Sequence, residues 1–202
     1  GIGIANIEKY TRMFGIASKT GIDVDGEKIG NIPSIEWKAK KFPSDPWRLG
    51  DTYHTAIGQY GFQVTPVQMV RAVAGIGSKG TLVTPHIFKD IDPSLLSIQT
   101  LDIDQANYTV IHEGMRQVVT AGTGGALNIS NVEIAAKTGT AQVGISKKAI
   151  NSWVIGFFPY ENPKYAFTVL MENSPSSNKI GASQAMGELF RWMALYTPEY
   201  FK

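Results

Sequence analysis

Three β-prone runs, Glu133 to Val143, Ser152 to Pro159 and Lys164 to Glu172, follow one another with only short polar or Pro-bearing connections. Strands joined this closely lie side by side and antiparallel. The segment Gly181 to Tyr196 then carries Ala182, Ala185, Met186, Leu189, Phe190 and Met193 at helical spacing. A terminal helix is therefore expected to cover one face of the sheet, which makes the fold class α+β. No internal repeat or low-complexity tract interrupts this pattern.

Upstream, Ile4, Ile7, Tyr10, Thr11 and Phe14 recur at helical spacing and Gly15 follows as a left-handed cap, predicting a core-facing helix over about residues 3 to 14. From Ile16 to Val64 the periodicity gives way to turn chemistry, with Trp37 and Trp47 as anchors, and no regular element is expected. A helix should open at Thr65-Pro66-Val67-Gln68, where Thr65 is an N-cap, Pro66 fits the first turn and Gln68 can reach back as a capping box. Its stripe is Val67, Val70, Val73 and Ala74, and the β-prone Thr81 to Thr84 follows. A further helix is expected from Asp104, with Val110, Ile111, Met115, Val118 and Val119 as its stripe and the Gly122 to Gly125 run as its end. At 202 residues the chain fits one domain, helical and irregular over 1–130 and sheet with terminal helix over 131–202.

Several function classes are excluded or disfavoured at this level. With 19 Lys+Arg against 17 Asp+Glu, the net charge of +2 is too small for the field of a nucleic-acid binder. Zero cysteines remove disulfides, thiolate metal sites and cysteine nucleophiles, and His54, His86 and His112 are too far apart to form a local ligand pair. No metal or cofactor is expected. The Gly122-Thr123-Gly124-Gly125 run follows a helix and lacks the Lys-Ser/Thr ending of a phosphate loop. No run of about 18 apolar residues offers a membrane span. The start Gly1-Ile2-Gly3-Ile4 has neither a basic leader nor an initiator methionine, which fits a piece cut from a longer chain.

The strongest chemical signal is Ala135-Ala136-Lys137-Thr138-Gly139-Thr140-Ala141-Gln142, polar equipment on an otherwise apolar strand. Alternation places Lys137 and Gly139 on one face and Thr138 and Thr140 on the other. Gly139 leaves room for a ligand backbone, the two threonine hydroxyls can meet a carboxylate, and the Thr140 N–H can point at a developing oxyanion. The alternative is an edge strand whose lysine blocks aggregation. Physics alone leaves the two readings level.

Lys137-Thr138-Gly139-Thr140 resembles the Lys-Thr-Gly element of penicillin-binding proteins and class A β-lactamases. The blocks Gly50 to Gln59, Val64 to Gln68 and Gly80 to His86 lie in the order and spacing of the elongation-type class B penicillin-binding proteins, the penicillin-binding protein 2 group. Trp153 to Pro159 and Val169 to Asn173 are similar to the two strands that follow in that family. The resemblance implies a D,D-transpeptidase in the bacterial periplasm, its parent anchored in the inner membrane, that cross-links peptidoglycan stem peptides through a serine acyl-enzyme and is acylated by β-lactams. It further implies that Lys137 belongs to the network at the nucleophile, that Thr138, Gly139 and Thr140 bind the substrate or drug, that Thr140 also serves the oxyanion hole, and that Gln142 is a nearby wall. The implied partners are stem peptides, β-lactams, the N-terminal part of the same domain and the elongation machinery.

The family's Ser-x-x-Lys nucleophile and Ser-x-Asn motifs do not precede Lys137, so no nucleophile is expected in this chain. Ser176-Ser177-Asn178-Lys179 spells both patterns, but it follows the Lys-Thr-Gly strand in a polar segment where nothing would lower the lysine's proton affinity. The expected object is thus the C-terminal portion of a transpeptidase domain, inactive alone, with apolar surface left uncovered. A β-lactamase or β-lactam sensor of the same superfamily, and a non-catalytic cell-wall interaction module, are the alternatives.

Overall fold

In the computed structural model, which describes residues 1–144 and 148–202, helix α1 (Gly3–Met13) forms where the periodicity places it. Gly15 follows in the left-handed conformation at φ +84°. The stripe is less core-facing than expected: Ile4, Ile7 and Phe14 are half-buried, and no α1 residue is fully buried.

The stretch expected to be irregular contains two short helices, α2 (Ile35–Lys41) and α3 (Leu49–Ala56). Pro33, Pro43 and Pro46, part of the turn chemistry of this stretch, flank these helices, and Ser34 caps α2 by accepting from the Trp37 N–H at 3.1 Å. Both helices are too short to show a stripe. They are organised around a charge, because Lys38 is buried at 1% exposure and its ammonium donates to Asp51 at 2.7 Å and to the Pro46 carbonyl at 3.0 Å. Asp45 lies 3.0 Å away, and the Tyr60 ring lies below the ammonium. Asp51 also accepts the Arg48 N–H at 2.7 Å, so one carboxylate caps α3 and neutralises the lysine. Tyr60 packs edge-on against Trp37 and Trp47. Elsewhere Glu27 accepts from the Thr20 N–H and hydroxyl, and Asp23 accepts the N–H groups of Ile87 and Phe88. Residues 1–69 and 84–97 form one compact unit, to which all of these groups belong.

Helix α4 (Pro66–Gly77) starts in that unit with the expected capping box: the Gln68 N–H donates to the Thr65 hydroxyl at 3.2 Å, and the Thr65 N–H donates to Gln68 Oε1 at 3.0 Å. Gln68 is itself buried, and its Nε2 donates to the carbonyls of Ser18 and Ile29. The residue that closes the cap thus also holds two distant loops, a role its spacing did not announce.

The second unit, residues 70–83 and 98–202, begins with the remainder of α4. Strand β1 (Thr81–Val83) pairs antiparallel with β2 (Ile98–Thr100). Asp104 caps α5 (Gln105–Thr120), its carboxylate accepting the Ala106 N–H at 2.8 Å. The buried face of α5 is Tyr108, His112, Met115 and Val119, whereas Val110 and Ile111 are exposed. The apolar count misplaced this stripe because two of its members carry polar atoms. His112 Nε2 bonds the Ile76 carbonyl at 2.8 Å and its ring lies on Phe157, a satisfied structural histidine.

Strands β3 (Ala135–Val143), β4 (Ala149–Phe158) and β5 (Tyr165–Pro175) form the expected antiparallel sheet in sequence order. Helix α6 (Ala182–Tyr196) lies on it, with Ala182, Met186 and Phe190 buried against Val154, Phe158 and Phe167. The opposite face packs Ala135 and Phe157 on Val73 and Met115. Among the described residues, β3 and β5 are both edges of the sheet. On the flank of α6, Leu189 and Tyr196 are exposed and Trp192 is 52% exposed, so Leu189, placed in the core stripe above, lies outside it.

Candidate active site

The Lys-Thr-Gly strand sits at the sheet edge, bonded to β4 on one side only, so half of its backbone groups face outward. Its register with β4 pairs Lys137 with Ile155, Thr138 with Val154, Gly139 with Trp153 and Thr140 with Ser152. Val154 belongs to the core under α6 and Ile155 to the cluster on the opposite face, so the expected alternation holds: Thr138 and Thr140 share the α6 face, Lys137 and Gly139 the other. Ala135 and Ala136, just before the motif, are fully buried and anchor the strand, while Lys137, Gly139, Thr140 and Gln142 are exposed.

Local bonds fix the motif from both ends. Arg116 of α5 donates to the Ile134 carbonyl at 3.2 Å and pairs with Glu133 at 2.8 Å. Behind Thr140, the Ser152 hydroxyl accepts the Ala182 N–H at 2.9 Å, tying the sheet to the first turn of α6. The Lys137 ammonium donates to the Thr138 carbonyl at 2.6 Å, using one of its three protons and leaving two to offer a ligand or nucleophile. A methyl group built on Gly139 would meet only Trp153 Cβ at 3.6 Å, ordinary contact. The chain's own packing therefore does not require glycine there.

One neighbour was not singled out as a site residue by the sequence. Thr123, in the glycine run after α5, has its hydroxyl against the Thr138 hydroxyl at 2.5 Å. A Cβ on Gly122 would lie 2.9 Å from Val118 Cα, and the Gly124 N–H bonds the Val118 carbonyl at 2.9 Å, so the chain folds tightly back on the helix end. The glycines were legible as a helix stop, but nothing in the spacing shows that the stop delivers Thr123 to β3.

The Ser176 to Lys179 segment is an exposed turn after β5, held by the Ser176 N–H to the Lys148 carbonyl and the Asn178 N–H to the Pro175 carbonyl. Lys179 is exposed. No group of three or more metal-binding side chains occurs among the described residues, and none of their helices is long and apolar enough to cross a membrane.

Residues 1–191 match the penicillin-binding protein transpeptidase domain family. The peptidoglycan D,D-transpeptidase MrdA of Haemophilus influenzae is 33% identical over 91% of this chain, which spans 32% of that protein. The chain thus spans about a third of the length of the curated relatives it matches. Among solved structures, penicillin-binding protein 2 of Helicobacter pylori in complex with MreC is 30% identical with a TM-score of 0.80, covering 97% of this chain and 36% of the other. Penicillin-binding protein 2 of Pseudomonas aeruginosa in complex with WCK 5153 is 32% identical with a TM-score of 0.77, covering 95% and 44%. The Lys-Thr-Gly edge strand, the order of the blocks before it and these matches agree: the chain belongs to the penicillin-binding protein transpeptidase family.

Proposed function

We propose that this chain is the C-terminal part of a single D,D-transpeptidase domain that cross-links peptidoglycan stem peptides, and that it supplies one wall of the cleft. The observation that carries this reading is the open outer edge of β3, where an exposed lysine, two hydroxyls and a bare glycine lie together on a strand anchored in the core. The serine belongs to the rest of the domain. Its oxygen attacks the penultimate D-alanyl carbonyl, terminal D-alanine leaves with a proton, and the acyl-enzyme passes its acyl group to an acceptor amine. Lys137 stabilises charge in the nucleophile's hydrogen-bond network, Thr138 and Thr140 hold the carboxylate of the donor or of a β-lactam, the Thr140 N–H receives the oxyanion, and Gln142 borders the cleft.

The same reading gives the uncovered surfaces an occupant. The outer edge of β5 and the Leu189, Trp192 and Tyr196 flank of α6 are where the remainder of the domain packs, since exposed apolar faces of this kind mark interaction surfaces. By analogy with the Helicobacter pylori protein bound to MreC, the parent binds a partner of that kind, and the family resemblance puts it with the cell-wall elongation machinery on the periplasmic side of the inner membrane. Incubating the full-length protein with excess benzylpenicillin and mapping the adduct tests the assignment. The expected adduct is stoichiometric and sits on a serine outside residues 1–202. A full-length protein that no β-lactam acylates would overturn it in favour of a non-catalytic interaction module.

A further inference from the structure

The Thr123–Thr138 hydroxyl pair carries a consequence for ligand binding. Each hydroxyl has one proton to donate and two lone pairs to accept with, and the pair shares one hydrogen bond. If Thr138 donates to Thr123, its oxygen turns only lone pairs outward and repels a carboxylate. If Thr123 donates to Thr138, the Thr138 proton is free to point at the carboxylate, and the two hydroxyls form a polarised chain in which each bond strengthens the next.

Thr138 is half-buried on the strand, and χ1 of both β-branched side chains is stiff, so the two oxygens are held while each hydroxyl proton can turn. Thr123 is exposed on a turn clamped against Val118 through Gly122 and Gly124, which holds its hydroxyl against that of Thr138. We propose that Thr123 is a positioning residue for carboxylate recognition: it acts through Thr138, donating to its hydroxyl and turning the Thr138 proton toward the terminal carboxylate of the donor peptide or β-lactam. The inference rests on the assignment of Thr138 as a carboxylate-binding residue. It differs from a bond that merely pins the turn to the strand, because a pin would serve every ligand equally whereas a proton-orienting hydroxyl serves an anionic acceptor most, a neutral ester carbonyl accepting more weakly.

The test compares the second-order acylation of the full-length protein by benzylpenicillin and by its methyl ester, which keeps the reactive ring and lacks the carboxylate. Thr123→Val is expected to slow acylation by benzylpenicillin about tenfold, the loss of one hydrogen bond that supports a charged acceptor, and acylation by the ester by less than about twofold. Thr123→Ser, which keeps the hydroxyl, should stay within about twofold of the parent on both ligands. In a Thr138→Val background, adding Thr123→Val should change little, because the residue it acts through is gone. Equal losses on both ligands, a serine variant as damaged as the valine variant, or no loss on benzylpenicillin would each overturn the proposal while leaving the transpeptidase reading intact. A parent protein that benzylpenicillin does not acylate would remove both. Because Thr123 is exposed, the valine variant does not disturb the core, and circular dichroism of each variant confirms that the comparison is between folded proteins.

Discussion

Lys137→Ala or Thr138→Val in the full-length protein is expected to lower the rate of acylation by benzylpenicillin by on the order of 10²-fold or more, measured as the second-order rate constant. Each substitution removes a polar group close to developing charge. Lys137 offers two ammonium protons beyond the one given to the Thr138 carbonyl, and methionine at that position would keep the length of the side chain without them. Thr138→Val is nearly isosteric, so its loss reports the hydroxyl and not the packing. Lys137 is exposed and Thr138 half-buried, on opposite faces of an edge strand anchored by its buried alanines, so neither change should unfold the sheet. Unchanged rates in both variants would remove the motif from the mechanism.

Lys38→Met is expected to lower the melting temperature by on the order of 10 °C, followed by near-ultraviolet circular dichroism of the Trp37 and Trp47 environment. The side chain is buried, and its removal leaves Asp51 without a cation and Asp45 with only the exposed Arg48 guanidinium at 2.8 Å. Burial pushes the Lys38 pKa down, but the Asp51, Asp45 and Tyr60 partners outweigh it and hold the ammonium above the usual 10.5. Burial likewise pushes Asp51 up, and Lys38 and the Arg48 N–H more than offset this, holding the carboxyl below the usual 3.8. A depressed carboxyl stabilises the fold above its ordinary pKa and loses that contribution as the pH falls through the folded-state value. A raised lysine stabilises below its ordinary pKa and loses the contribution as the pH rises through its own folded-state value. The melting temperature should therefore hold a plateau between the two limits and fall on either side. Lys38→Met should flatten the acid limb, and an unchanged acid limb would contradict this role for the pair.

Legibility from sequence followed the length and purity of each pattern. Strands β3 to β5 are 9 to 11 residues long, of β-prone sequence with short connections, and were recoverable in order and orientation. The Thr65 and Gln68 cap was visible because a capping box is a local, two-residue geometry. Helices α2 and α3 were not visible, since 7 and 8 residues cannot display a stripe and their stability comes from a buried lysine that looks, in sequence, like any surface charge. The face of α5 was misplaced because Tyr108 and His112 bury polar atoms, one of them satisfied by the distant Ile76 carbonyl. In the candidate site, the alternation of Lys137, Thr138, Gly139 and Thr140 followed from strand geometry alone. Thr123 depended on how a turn folds back through tertiary contact, which no spacing encodes.

The most direct measurement is the intact mass of the 202-residue chain after incubation with excess benzylpenicillin, with peptide mapping of any modified species. A chain that carries one wall of the cleft and no nucleophile keeps its unmodified mass. A stoichiometric adduct, on Ser176 in the exposed turn after β5 or on any other serine of these residues, would contradict that assignment.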